Sequence, residues 1–409
     1  SLVIGQSEAT STPTVWWVDL KTGSDNAAGT TEATAFKTVH KILESNNWNS
    51  GDTIKVKPSL ASDGSLSYYD FKNDDINFNN SNNFVLIGTG GADSTIFNAQ
   101  NKNRHFYFDD GQSSSTVIKG ITFKNGTANN AGGGSIALYN SDPQFINCKW
   151  ESNASYDGNQ GGAIYVNSRS APLFDGCEFK NNFKMFGDNN NSSSSGGAIY
   201  FGQADNATYF DKIITIKNSI FSGNYAYGYE GAQGGAIYSE RQIEITNSVF
   251  YDNYSKVKDG SDSDTYAEAW GGAVYLDVKY WAGNNNIGGT GKIVNCTFDN
   301  NWVDFEGGNS NNYNLYGGTI SYGRWDDNLN SKFYMFNSII TRSGSRMDGS
   351  EFVASDSQRK RNSIVGTGNE NGYTGTIDYS MIEGNSNLNM KTVGDYVYDV
   401  SPVFTDTAA

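Results

Sequence analysis

Two short motifs alternate along this chain in a fixed order, and this repeat restricts the possible fold more than any other feature. The first motif, Gly-Gly-Ala-Ile-Tyr or Gly-Gly-Ala-Val-Tyr, begins at Gly161, Gly196, Gly234 and Gly271, and degenerate copies begin at Gly133 and Gly317. The second lies between its copies: Asn147-Cys148-Lys149-Trp150, Gly176-Cys177-Glu178-Phe179, Asn218-Ser219-Ile220-Phe221, Asn247-Ser248-Val249-Phe250 and Asn295-Cys296-Thr297-Phe298. A unit this short cannot bury its apolar side alone, whereas stacked units share a continuous core. The repeat therefore predicts a parallel β-solenoid.

The strand pattern predicts which side chains form that core, because alternate residues of a strand point to one side. One inward column is expected from Ile164, Ile199, Ile237 and Val274, and another from Phe179, Phe221, Phe250 and Phe298. Small residues are expected to fill a third inward column: Cys148, Cys177, Ser219, Ser248 and Cys296. Metal or redox chemistry is the alternative for the cysteines. Hydrogen bonds between coils are expected along one turn from Asn147, Asn218, Asn247, Asn295 and Asn337.

Composition agrees with many turns joining short strands. Glycine occurs 47 times and proline 5 times in 409 residues, and charged residues make up 18%, which disfavours a helical bundle. The net charge of −15 repels phosphate backbones, so nucleic acid is not an expected partner. No segment approaches the roughly 20 apolar residues of a membrane span.

The N-terminal part lacks the repeat. A helix is predicted over residues 34–43, with Thr34 as N-cap and Phe36, Val39 and Ile42 on its apolar face. Such a helix could cover the open first coil, so we assign it as an N-terminal cap.

The chain is accordingly divided into four segments. Residues 1–14 are interpreted as a leader, signal remnant or linker, and 15–60 as the cap and first coil. Residues 61–400 form the repeats, and 401–409 a tail that we expect to continue beyond Ala409. Residues 1–6 read like the end of a secretory signal, so we expect a secreted or cell-surface protein of the bacterial extracellular type.

These motifs resemble those of known families. Trp17-Val18-Asp19, Ala35-Phe36-Lys37-Thr38 and Gly51-Asp52-Thr53-Ile54 resemble the start of secreted right-handed parallel β-helix proteins of the pectate-lyase-like superfamily. The Gly-Gly-Ala-Ile repeat and the Phe-x-x-Asn repeat, as in Phe179-Lys180-Asn181-Asn182, resemble those of polymorphic outer-membrane-protein adhesins. The resemblance implies an all-β protein: a single right-handed parallel β-helix of roughly ten coils. It does not imply one activity, since the superfamily mixes enzymes and adhesins.

Candidate catalytic residues are few. The two histidines, His40 and His105, lie in different segments, which disfavours a Ser-His-Asp triad. No Arg or Lys motif of a pectin or alginate lyase can be matched, although basic residues concentrate between Arg324 and Arg361. Arg324 could neutralise a uronate in a lyase, and Asp326 with Asp327 could form the carboxylate pair of a glycoside hydrolase. A charged, solvated face is the alternative for both.

Aromatic residues concentrate late in the repeats and could stack on sugar rings. The candidate ligand-binding residues are Trp270, Tyr275, Tyr280, Trp281, Trp302, Tyr322 and Trp325. Packing of long loops is the alternative reason for them.

A weak Ca²⁺ site is predicted in one acidic loop. Asp259, Asp262 and Asp264 supply the hard oxygen ligands that Ca²⁺ prefers, without the spacing of an EF-hand. A solvated acidic loop is the alternative, and no other cofactor is expected.

Taken together, the sequence favours an exported, non-catalytic spacer or adhesin whose side binds a polysaccharide, a cell-surface glycan, or a protein partner that includes copies of itself. The alternative is an extracellular polysaccharide lyase or glycoside hydrolase. End-to-end assembly through the C-terminal coil is a third possibility.

Overall fold

The chain winds into a parallel β-helix, and its strands stack coil upon coil into long parallel sheets. A computed structural model describes residues 12–44, 48–59, 75–78, 80–157, 160–186, 193–258, 267–282, 285–307, 313–323, 331–347, 350–351, 364–366, 373–378, 380–382, 392–393 and 397–398. The all-β solenoid predicted from the repeat is confirmed. In one representative coil the chain runs through Ile214–Lys217, Ile220–Ser222, Tyr225–Gly228, Gly231–Gln233 and Ile237–Ser239, which belong to sheets I, II, III, V and IV.

The described strands of each sheet are given in stacking order. Sheet I contains Val15–Val18, Thr53–Val56, Val85–Gly88, Val117–Lys119, Gln144–Ile146, Leu173–Asp175, Ile214–Lys217, Ile243–Thr246, Thr290–Val294, Ser331–Phe336, Tyr373–Asp378 and Thr392–Val393. Sheet II contains Ile96–Asn98, Thr122–Lys124, Lys149–Glu151, Glu178–Lys180, Ile220–Ser222, Val249–Tyr251, Thr297–Asp299, Ile339–Thr341, Ser380–Ile382 and Val397–Tyr398. Sheet III contains Thr127–Asn129, Ala154–Tyr156, Phe183–Met185, Tyr225–Gly228, Tyr254–Lys258, Trp302–Glu306 and Gly344–Met347, and Ser350–Glu351 adds an antiparallel edge.

The other two parallel sheets complete the coils. Sheet IV contains Ile76–Phe78, Phe106–Phe108, Ile136–Leu138, Ile164–Val166, Ile199–Phe201, Ile237–Ser239, Val274–Leu276, Ile320–Tyr322 and Ile364–Gly366. Sheet V contains Ser193–Ser195, Gly231–Gln233, Ala267–Trp270 and Tyr313–Tyr316. Lys279–Ala282 and Asn285–Gly288 form an antiparallel hairpin.

The predicted inward columns are confirmed. Phe179, Phe221, Phe250 and Phe298 stack in register, with successive ring centroids 4.6, 4.6 and 4.8 Å apart. The isoleucine column pairs in the same way along sheet IV. Both columns are fully buried, so the core is continuous from coil to coil.

The cysteines serve as small core residues. Cys148, Cys177 and Cys296 are all buried, and their Sγ atoms lie 3.3–3.6 Å from backbone carbonyl oxygens. Burial raises the pKa of Cys148 to about 12 and that of Cys296 to about 11, which keeps both thiols protonated and disfavours redox or metal chemistry.

The predicted asparagine turn is also confirmed over several coils. Asn218, Asn247, Asn295 and Asn337 all have positive φ, between 46° and 54°, which asparagine tolerates better than most residues. Each amide after the first donates to the side-chain oxygen of the preceding asparagine, at 3.3, 3.1 and 2.7 Å.

The paired glycines have separate roles. The first, as at Gly234, adopts positive φ. The second, as at Gly235, lies so close to the carbonyl of Gly272 in the next coil that a Cβ would overlap it. The motif is therefore a stacking device of the solenoid.

The helix predicted over 34–43 is wrong in its bounds. Glu32–Thr34 form a 3-10 turn that Thr31 caps, and the α-helix spans only His40–Glu44. Phe36 instead bridges Val18 as extended backbone, because the N–H of Phe36 donates to Trp17 and its carbonyl accepts from Asp19. Val39 and Ile42 are buried in the main core as expected, whereas the capping role stays a prediction.

Sheet V forms a lateral wing on the solenoid. It packs against sheet III through a second apolar cluster: Ala226, Ala232, Val257, Ala267, Ala269, Val303, Phe305, Tyr313 and Leu315. A second α-helix, Ala207–Phe210, lies in the turn between sheets IV and I. Within the described residues, no helix has the length and apolarity needed to cross a membrane.

Candidate functional site

The outer side of sheet IV carries a column of tyrosines that runs along the solenoid. In each repeat the isoleucine or valine of the motif points inward, so the following tyrosine points outward. Tyr165, Tyr200, Tyr238 and Tyr275 occupy the same register in consecutive strands. Their ring centroids are 5.7, 5.1 and 5.3 Å apart.

The column continues toward the N-terminus, although one strand has an alanine at the position of the tyrosine. Ala137 pairs with Tyr107 on one side and Tyr165 on the other, and it leaves space beside them. The ring of Tyr139 fills this space, with its centroid 5.3 Å from Tyr107 and 5.5 Å from Tyr165. We call these six residues, Tyr107, Tyr139, Tyr165, Tyr200, Tyr238 and Tyr275, the tyrosine column.

The column offers hydroxyls and ring edges more than ring faces. The rings of Tyr165 and Tyr200 are inclined by 5°, and those of Tyr200 and Tyr238 by 2°, so each covers the face of its neighbour. Burial raises the pKa of Tyr165 to about 12 and that of Tyr200 well above its usual value. Both phenols therefore remain protonated hydrogen-bond donors.

Exposure changes along the column. Tyr107, Tyr139, Tyr165 and Tyr200 are partly exposed, whereas Tyr238 and Tyr275 are buried. The accessible part is thus the N-terminal two thirds, and we call it the tyrosine face.

An ion cluster lies where the column becomes buried. Lys279 Nζ is 2.7 Å from Asp277 Oδ2 and 3.7 Å from Glu240 Oε1. The hydroxyl of Tyr200 donates to Glu240 at 3.1 Å, and that of Tyr238 to Asp277 at 3.4 Å. The cluster therefore joins two carboxylates from neighbouring coils to one ammonium and two phenols.

Two ion pairs border the open end. Arg104 Nε is 2.8 Å from Asp75 Oδ2, and its guanidinium lies over the ring of Tyr107 at 5.4 Å. Arg169 Nε is 2.5 Å from Asp205 Oδ2 at the turn that leaves sheet IV. At each of these two places, therefore, an arginine of the protein is paired with an aspartate.

The structure corrects the expected sugar-stacking role of Trp270 and Tyr275. The two rings stack at 5.5 Å, and Trp270 also stacks on Tyr316 at 4.2 Å. Because they are 3% and 1% exposed, they offer no open ring face and instead pack the wing against sheet IV.

Trp302 and Tyr322 are likewise corrected, and they do not join the same site. Tyr322 points into the solenoid and stacks on Phe333 at 4.8 Å. Trp302 belongs to sheet III, where the guanidinium of Arg346 lies 3.6 Å from its ring. Both rings are nearly buried.

Other predicted residues are only partly described or not described. Tyr280 and Trp281 lie in the hairpin strand Lys279–Ala282, directly after the ion cluster, and their backbone alone is described. Trp325, Arg324, Asp326 and Asp327 lie outside the described residues. The Tyr275 hydroxyl donates to the carbonyl of Gly323 at 3.1 Å, so the chain enters that segment beside the buried end of the column.

The predicted metal ligands Asp259, Asp262 and Asp264 also lie outside the described residues. Within the part that is described, no group of three or more His, Cys, Asp or Glu side chains is placed to hold a metal ion.

The late basic residues that are described do not converge. Lys332 lies in sheet I and Arg346 in sheet III, on different sides of the solenoid. Arg342 pairs with Asp299 between sheets II and III. These three therefore do not build one basic cleft.

A second aromatic stack provides a useful comparison. Phe183, Tyr225 and Tyr254 stack on the outer side of sheet III, with centroids 4.9 and 4.9 Å apart and planes inclined by 3° and 2°. Sheet III also carries two carboxylates and an ammonium, because Lys256 Nζ lies 2.8 Å from Glu306 and 3.8 Å from Asp304. With an aromatic stack and paired charges of the same kinds, this side of sheet III serves as a matched control surface.

Sequence reasoning missed the tyrosine face and the ion cluster. The signal for the tyrosines was the motif itself, because an inward isoleucine requires an outward neighbour. Glu240, Asp277 and Lys279 lie one to three residues after strands of sheet IV, where no spacing marks them.

Comparisons with known proteins add little about function. No protein-family model matches the chain, and no curated protein matches it. Among solved structures, pectin methylesterase PemA from Erwinia chrysanthemi aligns with a TM-score of 0.34 and 10% identity, covering 96% of this chain and 94% of that chain. A likeness at this level carries no argument about activity.

Proposed function

We propose that this protein is an exported β-helix spacer that binds a glycan along the tyrosine face. The observation that carries the proposal is the continuous row of phenol rings at Tyr107, Tyr139, Tyr165 and Tyr200. Phenol hydroxyls and ring edges combine apolar area with hydrogen-bond donors, which suits sugars. A row repeated at the coil spacing favours a polymeric ligand.

The fold supports the proposed spacer role. Each coil contacts its neighbours through a shared core and parallel strand pairing, so the solenoid holds its side surface in a fixed geometry. Secretion or cell-surface location is part of the proposal, supported by the adhesin-like repeats and by the signal-like residues 1–6.

A hydroxyl-deletion experiment tests the binding role. Tyr139→Phe with Tyr165→Phe removes two hydroxyls and keeps both rings in place. We expect about tenfold weaker binding to the best ligand of a polysaccharide panel, measured by calorimetry, since each hydrogen bond contributes roughly 0.5–1.5 kcal/mol. Tyr225→Phe with Tyr254→Phe on sheet III is the matched control, and it should bind as the parent protein does. Absence of binding across the panel by folded protein would contradict the proposal.

Glycoside hydrolysis is a second candidate, with Glu240 beside the Tyr200 hydroxyl as one carboxylate and Asp326 or Asp327 proposed as the other. Asp277 is 2% exposed and pairs with Lys279, so it is closed to a substrate. Hydrolases place two carboxylates roughly 5–9.5 Å apart around the scissile bond. The test measures new reducing ends and unsaturated ends from the same panel. Reducing ends that disappear in Glu240→Gln but persist in Glu244→Gln, a control on sheet I, would establish a hydrolase. Unsaturated ends would establish a lyase and direct attention to Arg324.

Calcium binding by the acidic loop remains a further proposal. The three aspartates 259, 262 and 264 supply oxygen ligands, and binding to the folded state should raise the unfolding temperature. A rise with Ca²⁺ that is absent in the triple Asp→Asn variant would support it, and equal behaviour would contradict it.

A further inference from the structure

We infer that the tyrosine face selects uncharged glycans and excludes glycans built from uronates. This inference rests on the glycan-binding role proposed above and names the chemical class of the ligand. It is carried by the charges that surround the tyrosines.

The cations that border the tyrosine face are already paired with carboxylates. Arg104 pairs with Asp75 at 2.8 Å and also donates to the carbonyl of Gly132 at 3.1 Å. Lys279 pairs with Asp277 at 2.7 Å and is only 4% exposed. A uronate would have to displace one of these carboxylates to gain a positive partner.

Arg169, which lies where the chain leaves sheet IV, is also paired with a carboxylate. Its Nε is 2.5 Å from Asp205, and its guanidinium lies over the ring of Tyr209 at 5.9 Å. Each described cation on this face is therefore neutralised by a carboxylate of the protein.

Further carboxylates lie beside the tyrosines. Asp109 follows the strand that carries Tyr107, and Asp110 lies next to it. Burial and the nearby charge of Asp110 raise the pKa of Asp109, and Asp109 in turn helps to raise the pKa of Tyr107. Glu240 accepts from Tyr200 farther along the column. The described residues of the face thus carry more carboxylates than cations.

This arrangement treats two kinds of sugar differently. A uronate polymer carries a carboxylate on every sugar, which would lie near Asp109, Asp110 and Glu240 and be repelled. An uncharged sugar presents hydroxyls, which donate to those same carboxylates in charge-assisted hydrogen bonds. Repulsion between partly exposed charges is screened by salt, so it has a measurable signature.

The experiment compares hexasaccharides of matched length with the full chain. Cellohexaose, mannohexaose and chitohexaose are the uncharged probes, and hexagalacturonate and hexamannuronate are the uronates. We expect the best uncharged probe to bind at least about tenfold more tightly than either uronate, which is the scale of one close like-charge contact at a protein surface. Raising the salt concentration should strengthen the residual uronate binding.

Charge-neutralising variants test the residues. Asp109→Asn with Asp110→Asn should strengthen uronate binding about fivefold. It should weaken binding of the uncharged probe, because an amide oxygen accepts a weaker hydrogen bond than a carboxylate. Asp175→Asn on sheet I, whose carboxylate pairs with Lys217, is the matched control and should change neither.

The outcomes separate this inference from the proposed function. Uronates that bind as tightly as the uncharged probes, or a double variant that leaves uronate binding unchanged, would overturn the selectivity and keep the glycan-binding role. If uronates did bind tightly and Arg324→Ala abolished that binding, Arg324 would be identified as the cation that binds the uronate carboxylate, and the lyase alternative would be favoured. Failure of every probe to bind would overturn both proposals.

Discussion

The side-chain amide of Asn182 donates to the side-chain oxygen of Asn224 at 3.0 Å, and the backbone N–H of Asn182 donates to the same oxygen at 3.0 Å. Asn224 repeats both bonds to Asn253, and Asn253 repeats them to Asn301. All four residues are fully buried. A ladder of asparagines thus pairs the backbone at the turn between sheets II and III inside the solenoid.

Asn224→Ala should lower the free energy of unfolding by about 3 kcal/mol. It leaves the N–H of Asn182 and the carbonyl of Phe179 without a buried partner, and each such loss costs roughly 1–3 kcal/mol. Urea unfolding measures the change. Asn247→Gly is the control, because it removes an exposed amide while glycine tolerates the positive φ. Equal losses in the two variants would show that burial of the ladder is unimportant.

Stability should fall as the pH drops from 6.5 toward 4 because of His105. Its ring is fully buried, with Nε2 2.9 Å from the Phe97 carbonyl and Nδ1 3.0 Å from the Ser135 hydroxyl. Burial lowers its pKa to about 4. The unfolded chain therefore binds a proton first, and the stability present above pH 6.5 is lost progressively as the pH falls to 4, by about 3 kcal/mol.

Carboxylates also contribute to the pH dependence of stability, and a comparison of two histidine variants separates the contribution of His105 from theirs. His105→Gln should lose the histidine contribution to the pH dependence, while His40→Gln, in the short N-terminal helix, should keep it. Urea unfolding at pH values from 4 to 7 measures both. An identical pH dependence in parent and His105→Gln would refute the assignment.

Arg241→Met should destabilise the turn between sheets IV and I. The guanidinium is fully buried and donates to the carbonyls of Ser168, Ser170 and Tyr209. Methionine fills similar volume but leaves these acceptors unpaired, so we expect a loss of about 2–4 kcal/mol in the free energy of unfolding. Arg169→Met, at an exposed ion pair, is the control and should change little. If Arg241→Met kept the parent protein's free energy of unfolding, water would be shown to replace the guanidinium as the donor to these carbonyls.

Much of the fold could be predicted because equivalent residues of successive coils must fit against one another, and this requirement recurs in every coil. Phe179 and Phe221 recur at one position because identical rings stack, and Gly235 recurs because the next coil excludes a Cβ. The N-terminal helix was misjudged because the apolar spacing of Phe36 and Val39 fits a helix, whereas Phe36 bridges Val18 as extended backbone. Local periodicity does not report such a long-range pairing.

The site was harder to predict because function-bearing and packing residues share the same types. The sequence suggested Trp270 as a platform for sugars, yet it is buried between Tyr275 of sheet IV and Tyr316 of sheet V. Tyr200 looked like part of a structural motif, yet it faces outward beside Glu240. The exposure of each aromatic ring depends on how sheet V packs against its neighbouring sheets. This packing is set by contacts between strands that are distant in sequence.

Lys279→Met should test whether the ion cluster supports the fold. It removes the ammonium 2.7 Å from Asp277, which is 2% exposed. Removing one partner of a buried pair costs roughly 3–5 kcal/mol, because the other charge stays in a dry environment. We expect a loss of that size in the free energy of unfolding. Adding Asp277→Asn removes the stranded charge, so the double variant should recover at least half of the loss. A double-mutant cycle from urea unfolding measures this coupling. If Lys279→Met kept full stability and instead changed glycan binding, the cluster would belong to the ligand site rather than to the packing of the hairpin.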